Sequence, residues 1–315
     1  MTNLASIDIG SHTARLLVSQ QMGNSRLFRP LVRKRAYIRL AEGLDDQGRA
    51  AIRPDSIDRT LSALEDFATI AREFSVDTIL AVSTGVVRKA ANRDDFLNLI
   101  YNHTGIKVKL ISGEEEARLT GKGVLHSLDI HGTPFMIFDL GGGSTEFVFG
   151  DGKDKRVKSI LLGAMTLTQK YLTSDPPEER SIEALEKYVG KLLQQAFPPH
   201  AYSGNDHLLV GTGGTVTTLA AMIHSVETKE ISPDRMNGLI LEREWIEDIV
   251  QQIKTMTITE RLKLTSLDEG RADVILAGSI VVIRILHFFE SVKMVVSLSD
   301  ILEGILIEHL DNCMV

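Results

Sequence analysis

The stretch "MIFDLGGGSTEFVF", from Met136 to Phe149, constrains this chain more than any other. An apolar run ends on Asp139. Three glycines, two hydroxyl residues and Glu146 follow, and a second apolar run begins. Short apolar runs bounded by glycine predict two strands joined by a tight turn. The amino terminus repeats the pattern. "SIDIGSHTARLLVS", from Ser6, has Asp8, one apolar residue, a glycine, a small turn ending in Thr13, and a strand. Asp8 and Asp139 lie 139 − 8 = 131 residues apart. A second pair of motifs, "ILAVSTGVVRKAA" from Ile79 and "LLVGTGGTVTTLAA" from Leu208, each reads strand, Gly/Ser/Thr turn, helix. Their glycines Gly85 and Gly213 lie 213 − 85 = 128 residues apart. Two unrelated motifs in one order at nearly one offset predict duplicated halves.

The rest of the pattern predicts an α/β chain. Ile57, Leu61, Leu64, Phe67, Ile70 and Phe74 share a helical period, and strand 79–83, a helix near 94–103, strand 106–111 and a helix from Glu114 follow. In the second half strands are expected at 135–139, 145–150, about 156–162, 207–211 and 293–297. Helices are expected at about 164–173, 181–197, 215–225, within "EREWIEDIVQQIKTM", at 270–289 and in "DILEGILIEHL". The break between halves is expected around 121–134, where "GKGVLHSLDIHGTP" reads as loose and glycine-bearing. This gives one domain from 1–124 plus about 299–315 and a second from 125–298.

A net charge of −7 and a pI near 5.8 argue against broad nucleic-acid binding, which needs a basic face. The single cysteine, Cys313, rules out an intrachain disulfide and suits a reducing compartment. "MTNLASIDIG" has no basic and apolar leader pattern, and the late apolar stretch is interrupted by Arg284, His287, Glu290 and Lys293. A cytoplasmic protein that does not enter a membrane is expected.

Glycine turns of this kind expose successive backbone N–H groups as a concave anion site. The first hairpin offers Gly10, Ser11, His12 and Thr13; the second offers Gly141, Gly142, Gly143, Ser144 and Thr145. The strand-to-helix turn Gly211, Thr212, Gly213, Gly214 and Thr215 adds a helix N-terminus, where negative charge is favoured. With the turn at 83–88 these make four related loops, able to line one cleft if the halves face each other. Asp8 and Asp139 end apolar strands at matching places, where an acid either caps its turn or holds a metal such as Mg²⁺ beside phosphate. Glu146 is the third metal candidate, provided that strand alternation points it the same way.

In "SGEEEARL", Ser112 and Glu115 fit a capping box, and Glu114 suits the first helical turn. Glu116 has neither role, which leaves a solvated acid or a general base. Arg88, just after a Ser/Thr/Gly turn, reads as a phosphate clamp or an exposed helix arginine. "RKRAYIR" is a basic strand that either guides a polyanion or forms a solvated face.

These residues resemble the exopolyphosphatase / guanosine pentaphosphate phosphatase (Ppx/GppA) family of the actin-like ATPase and sugar-kinase superfamily. The matching stretches are "IDIGSHTARLLV", "IRLAEGLDDQGR", "STGVVRKAANRDDF", "ISGEEEARLTGKGV", "FDLGGGSTEFVFG", "GTGGTVTTLAA", "RADVILAG" and "LSDILEGIL", in family order across nearly the whole chain. The resemblance implies two ribonuclease-H-like domains with an active-site cleft between them. It also implies Mg²⁺-dependent hydrolysis of a terminal phosphoanhydride in polyphosphate or guanosine pentaphosphate. The family's catalytic glutamate falls on Glu116, its metal-linked aspartate on Asp139, its phosphate loop on Gly141 to Thr145, and its arginine after the "TSALR"-like turn on Arg88. The chain departs at the first loop, usually Gly-Ser-Asn-Ser, where His12 puts a titratable imidazole in place of an amide. The additional C-terminal helical domains of longer members are not expected in it, and a homodimer is a further expectation. A kinase of the same superfamily and a non-catalytic sensor of a phosphorylated alarmone are the rival readings.

Overall fold

The structure, a computed structural model, describes residues 2–23, 27–42, 50–128, 130, 132–150, 155–198 and 207–313. It divides into two compact units, Met1–Gly123 with Asp300–Val315, and Val124–Ser299.

The first unit is built on a sheet of β1 (Asn3–Ile9), β2 (Thr13–Gln21), β3 (Phe28–Tyr37), β4 (Thr78–Ser83) and β5 (Val108–Leu110), ordered β3-β2-β1-β4-β5. The β1–β2 and β2–β3 pairs are antiparallel, and β1–β4 and β4–β5 are parallel. Its helices are α1 (Pro54–Glu73), α2 (Gly85–Lys89), α3 (Arg93–Thr104) and α4 (Gly113–Leu128). Strand alternation sends Ala5, Ile7 and Ile9 to a core that includes Leu64 and Phe67 of α1 and Phe96 and Ile100 of α3.

The second unit holds β6 (Phe135–Leu140), β7 (Thr145–Gly150), β8 (Lys155–Ile160), β9 (Leu208–Thr212), β10 (Ile240–Glu242) and β11 (Lys293–Val296), ordered β8-β7-β6-β9-β11-β10. Around this sheet run α5 (Ala164–Tyr171), α6 (Glu179–Ala196), α7 (Gly214–Ile223), α8 (Pro233–Met236), α9 (Arg243–Ile253), α10 (Ile258–Arg261) and α11 (Ile275–Phe288). Its core joins Phe138 and Phe147 of the hairpin to Val216 of α7 and Ile280 of α11. The chain then returns to the first unit as α12 (Ile301–Cys313). There Leu302, Leu306 and Leu310 pack on Leu4 of β1 and Leu17 of β2, on the sheet face opposite to Ile7.

Apart from the edge strand β10, the two sheets repeat strand order and direction. Both are the ribonuclease-H-like α/β sheet expected from the sequence. The register fixes the equivalence. Asp8 faces Arg15 and Val82, and Asp139 faces Glu146 and Thr212. The hairpins therefore correspond at the expected offset of 131. The second motif corresponds at 212 − 82 = 130, not at the 128 that aligning Gly85 with Gly213 suggests. Those glycines are not equivalent: Gly85 opens α2, whereas Gly213 precedes α7 with φ of 94°.

The segment from residue 121 was expected to be loose. It continues α4 to Leu128 instead, while residues 129 and 131 lie outside the described residues. Within this helix Gly123 leaves the space that α12 occupies: a Cβ there would come within 1.9 Å of the Asp300 carbonyl oxygen. Glycine read as a breaker is here a contact residue.

Candidate active site

Both hairpins close in one way. Gly10 N–H donates to the Thr13 carbonyl at 2.9 Å, and Gly141 N–H to the Ser144 carbonyl at 3.0 Å. Their carbonyls are then tied back. Ser11 O accepts from Ala41 N–H, and His12 O from Ile38 and Arg39 N–H, all at 3.0 Å. In the second unit Gly141 O accepts from Ala164 N–H and Gly142 O from Met165 N–H, both at 3.0 Å, at the start of α5. Gly163 allows this approach, since a Cβ there would lie 2.3 Å from the Gly142 carbonyl oxygen. Among the described residues, the N–H groups of Gly142, Gly143 and Ser144 donate no hydrogen bond within the protein. A turn with the carbonyls of Gly141, Gly142 and Ser144 engaged and its N–H groups in reserve has the form of an anion-binding nest. Thr145 is fully buried and gives its hydroxyl to the Leu162 carbonyl, so it braces the loop from behind.

Beside each hairpin runs a row of side chains on one face of the sheet. In the second unit the row is Thr212, Asp139, Glu146 and Ser159, directly opposite one another across β9, β6, β7 and β8. Glu146 thus faces the same way as Asp139, as the alternation argument required. Ser159 Oγ donates to Glu146 Oε1 at 2.7 Å. The Thr212 hydroxyl is buried and has no hydrogen-bond partner among the described residues. In the first unit the equivalent row is Val82, Asp8, Arg15 and Arg35. Arg15 donates to Asp8 Oδ2 through Nε at 3.1 Å and Nη2 at 2.7 Å. Burial pushes the Asp8 carboxyl above its ordinary pKa, against the pull of Arg15. The two matching aspartates therefore differ in the residue directly opposite, Arg15 for Asp8 and Glu146 for Asp139.

The turn after β9 passes against Asp139. A Cβ on Gly213 would lie 2.7 Å from Asp139 Oδ1 and 2.5 Å from the Leu140 carbonyl oxygen. Arg271 lies on the other side of this turn, its guanidinium filling the space a Gly214 side chain would take, at 1.8–2.0 Å. In the sequence Arg271 opens "RADVILAG", a stretch with no local signal for this contact. A buried arginine against a helix-opening glycine is the signal that it belongs to this loop. Gly278 makes similar room for the Thr215 hydroxyl.

In the first unit Ser112 Oγ accepts from Glu115 N–H at 3.0 Å, and Glu115 Oε1 takes Lys109 Nζ at 2.6 Å. Glu115 is thus structural. Glu114 is exposed, and Glu116 is half-buried. Arg88 Nη1 donates to the Ile111 carbonyl, two residues before α4 opens, so Arg88 lies at the entry of the helix that carries Glu116. His12 is 6 % exposed and packs edge-on against Tyr37, with ring centroids 5.3 Å apart. In the basic strand Arg33 pairs with Glu303, whereas Arg35, on the same face of β3, and Lys34, on the other, are exposed.

The second-unit row supplies oxygen donors only, which suits a hard cation. No group of three or more His, Cys, Asp or Glu side chains able to hold a metal occurs among the described residues. Mg²⁺ is commonly held by one or two carboxylates plus substrate phosphates, so Asp139 and Glu146 fit it.

The model of the Ppx/GppA phosphatase family matches residues 17–313. The chain belongs to that family. Among Ppx/GppA relatives, exopolyphosphatase 2 of Mycobacterium tuberculosis is 32 % identical over 97 % of this chain and 98 % of its own. A crystal structure of the Aquifex aeolicus Ppx/GppA family member is 30 % identical and superposes with a TM-score of 0.80, covering 99 % of this chain and 98 % of that one. The exopolyphosphatase from Cytophaga hutchinsonii is 25 % identical, with a TM-score of 0.88 and the same two coverages. The fold is the two-domain actin-like α/β fold of Ppx/GppA proteins. Among the described residues no helix is long and apolar enough to cross a membrane.

Proposed function

We propose that this protein is a Mg²⁺-dependent phosphoanhydride hydrolase. It releases orthophosphate from the end of inorganic polyphosphate, guanosine pentaphosphate or both. The observation that carries the reading is the Asp139–Glu146 row beside a glycine turn with N–H groups in reserve. The exopolyphosphatase relatives support polyphosphate as substrate.

Asp139 and Glu146 would hold the cation, with Ser159 orienting Glu146. Asp8, engaged by Arg15, is the weaker metal candidate of the three. Mg²⁺ there would neutralise charge on the phosphate oxygens. The N–H groups of Gly142, Gly143 and Ser144, the turn from Gly211 to Thr215, and Arg271 hold the remaining oxygens; the loop from Gly10 to Thr13 and Arg88 are the first unit's own candidates for phosphate contacts. Glu116 orients a water and takes its proton as the water oxygen bonds to the terminal phosphorus. The bridging P–O bond breaks, its electron pair leaves with the shortened chain, and orthophosphate departs. Positioning and charge stabilisation carry most of such a reaction.

The deciding experiment measures phosphate release with Mg²⁺ from short polyphosphate, long polyphosphate and guanosine pentaphosphate side by side. Initial rates rank the substrates. No release from any of them, or phosphorylation of an added acceptor by ATP, would sink the hydrolase reading.

A further inference from the structure

Asp300 begins α12 in the first unit, and it is 2 % exposed. Its side chain and backbone engage three parts of that unit. Oδ2 accepts from Arg15 Nη1, and the same guanidinium holds Asp8 at the base of the first hairpin. Oδ1 accepts from Leu302 N–H at 3.2 Å, while Glu303 Oε2 accepts from Asp300 N–H at 3.0 Å, so the residue also caps its own helix. The Asp300 carbonyl lies against the backbone of α4, where a Cβ on Gly123 would meet its oxygen at 1.9 Å. One turn on, Gly304 repeats the contact in reverse, its absent Cβ falling 1.9 Å from the Leu119 carbonyl oxygen. Further along, Glu308 takes Arg118 in a two-point grip at 3.0 and 2.8 Å.

Helix α4 therefore docks on α12 backbone to backbone. Such a seam has no side chain to rotate and absorb a displacement. Glu116 precedes Gly123 by seven residues, or roughly 10 Å along the helix. The base of the first hairpin, through Arg15, and the helix bearing Glu116 thus meet at one residue.

We propose that Asp300 is a positioning residue for hydrolysis, holding the first hairpin and the helix of Glu116 in register with each other. This rests on Glu116 acting on water. The plain alternative is a buried ion pair that only stabilises the fold, and the two part on kinetics.

Asp300→Asn keeps the shape and the Leu302 cap but removes the charge that Arg15 holds. In folded Asp300→Asn protein, kcat for phosphate release from polyphosphate is expected to fall by about 10–100-fold, the scale of a small misplacement, with KM changed by less than about twofold. In a Glu116→Gln background the same substitution should add little, because both act on one step. Amides at the start of α4 should exchange faster with solvent in Asp300→Asn, a readout independent of catalysis. An unchanged kcat per folded molecule, or full additivity with Glu116→Gln, overturns the proposal. If Asp300→Asn does not fold, the Arg15→Gln/Asp300→Asn double variant removes both partners of the ion pair, and near-wild-type kcat there overturns it equally. Wild-type protein that releases no phosphate removes the hydrolase reading instead. The amide exchange then still reports whether Asp300 holds α4, and unchanged exchange overturns that as well.

Discussion

Asp139 and Glu146 stand directly opposite each other on β6 and β7, where the first unit pairs Asp8 with Arg15. Facing side chains in such a pair have Cβ atoms about 4.5–5.5 Å apart, and like charges at that spacing repel. A divalent cation held there would remove the repulsion, so its binding should stabilise the fold by mass action. Added Mg²⁺ should raise the melting temperature of the wild-type protein, and Asp139→Asn or Glu146→Gln should lose most of that rise. Ser159→Ala should weaken it less, because Ser159 acts through its hydrogen bond to Glu146. Thermal melts with and without Mg²⁺ check this, and an equal rise in all four proteins would move the cation elsewhere.

Glu116 differs from its two neighbours by elimination. Glu115 is committed to Lys109 and Glu114 is exposed. Glu116→Gln should lower kcat by about 10²–10⁴-fold, the usual worth of a general base, and leave KM nearly unchanged. Glu114→Gln should stay within about twofold of wild type, since surface substitutions away from special features change little. Steady-state phosphate release on the three proteins decides, and equal activity in Glu116→Gln would remove it from the role.

What the sequence made legible follows the range of each interaction. The hairpins and their acids were readable because strand, turn and acid lie within about fourteen residues and recur. Glu115 could be set aside because its cap partner Ser112 is three residues away. Arg15 could not be read as the partner of Asp300, since 285 residues separate them and only the fold brings them together. Arg271 was hidden for the same reason, because its contact is with Gly214, on a different element. Gly123 misled outright. Glycine marks both a loose linker and a close helix crossing, and only the neighbouring backbone tells them apart.

Gly213 tests how tightly the turn after β9 must pass Asp139. Gly213 and Gly238 both have positive φ, 94° and 87°, so alanine at either stores strain of roughly 1–3 kcal/mol. The surroundings differ. Nothing lies within 4 Å of a Cβ on Gly238, whereas a Cβ on Gly213 would press on Leu140 and on the Asp139 carboxylate. Gly238→Ala should lower the melting temperature and keep its kcat. Gly213→Ala should lose stability and also lose at least about tenfold in kcat, since its added carbon displaces Asp139. Matching kcat values for the two variants would show that Asp139 tolerates the shift.

The seam between α4 and α12 carries its own pH signature. Two-point hydrogen bonding from Arg118, helped by Lys122, holds the Glu308 carboxyl down to about 2, against an ordinary 4.5. A depressed acid stabilises the fold fully above its unfolded value and loses that contribution as pH falls through its folded value. The stability gap between wild type and Glu308→Gln should therefore be constant above about pH 5 and shrink steadily between about 4.5 and 2. The pair is partly exposed, so the gap should be modest and should also narrow in 1 M salt, where the screening length falls to about 3 Å. Denaturant titrations of both proteins from pH 6 to 2, at low and high salt, measure it. A gap that ignores both pH and salt would mean that the glycine contacts, and not the ion pairs, hold this seam.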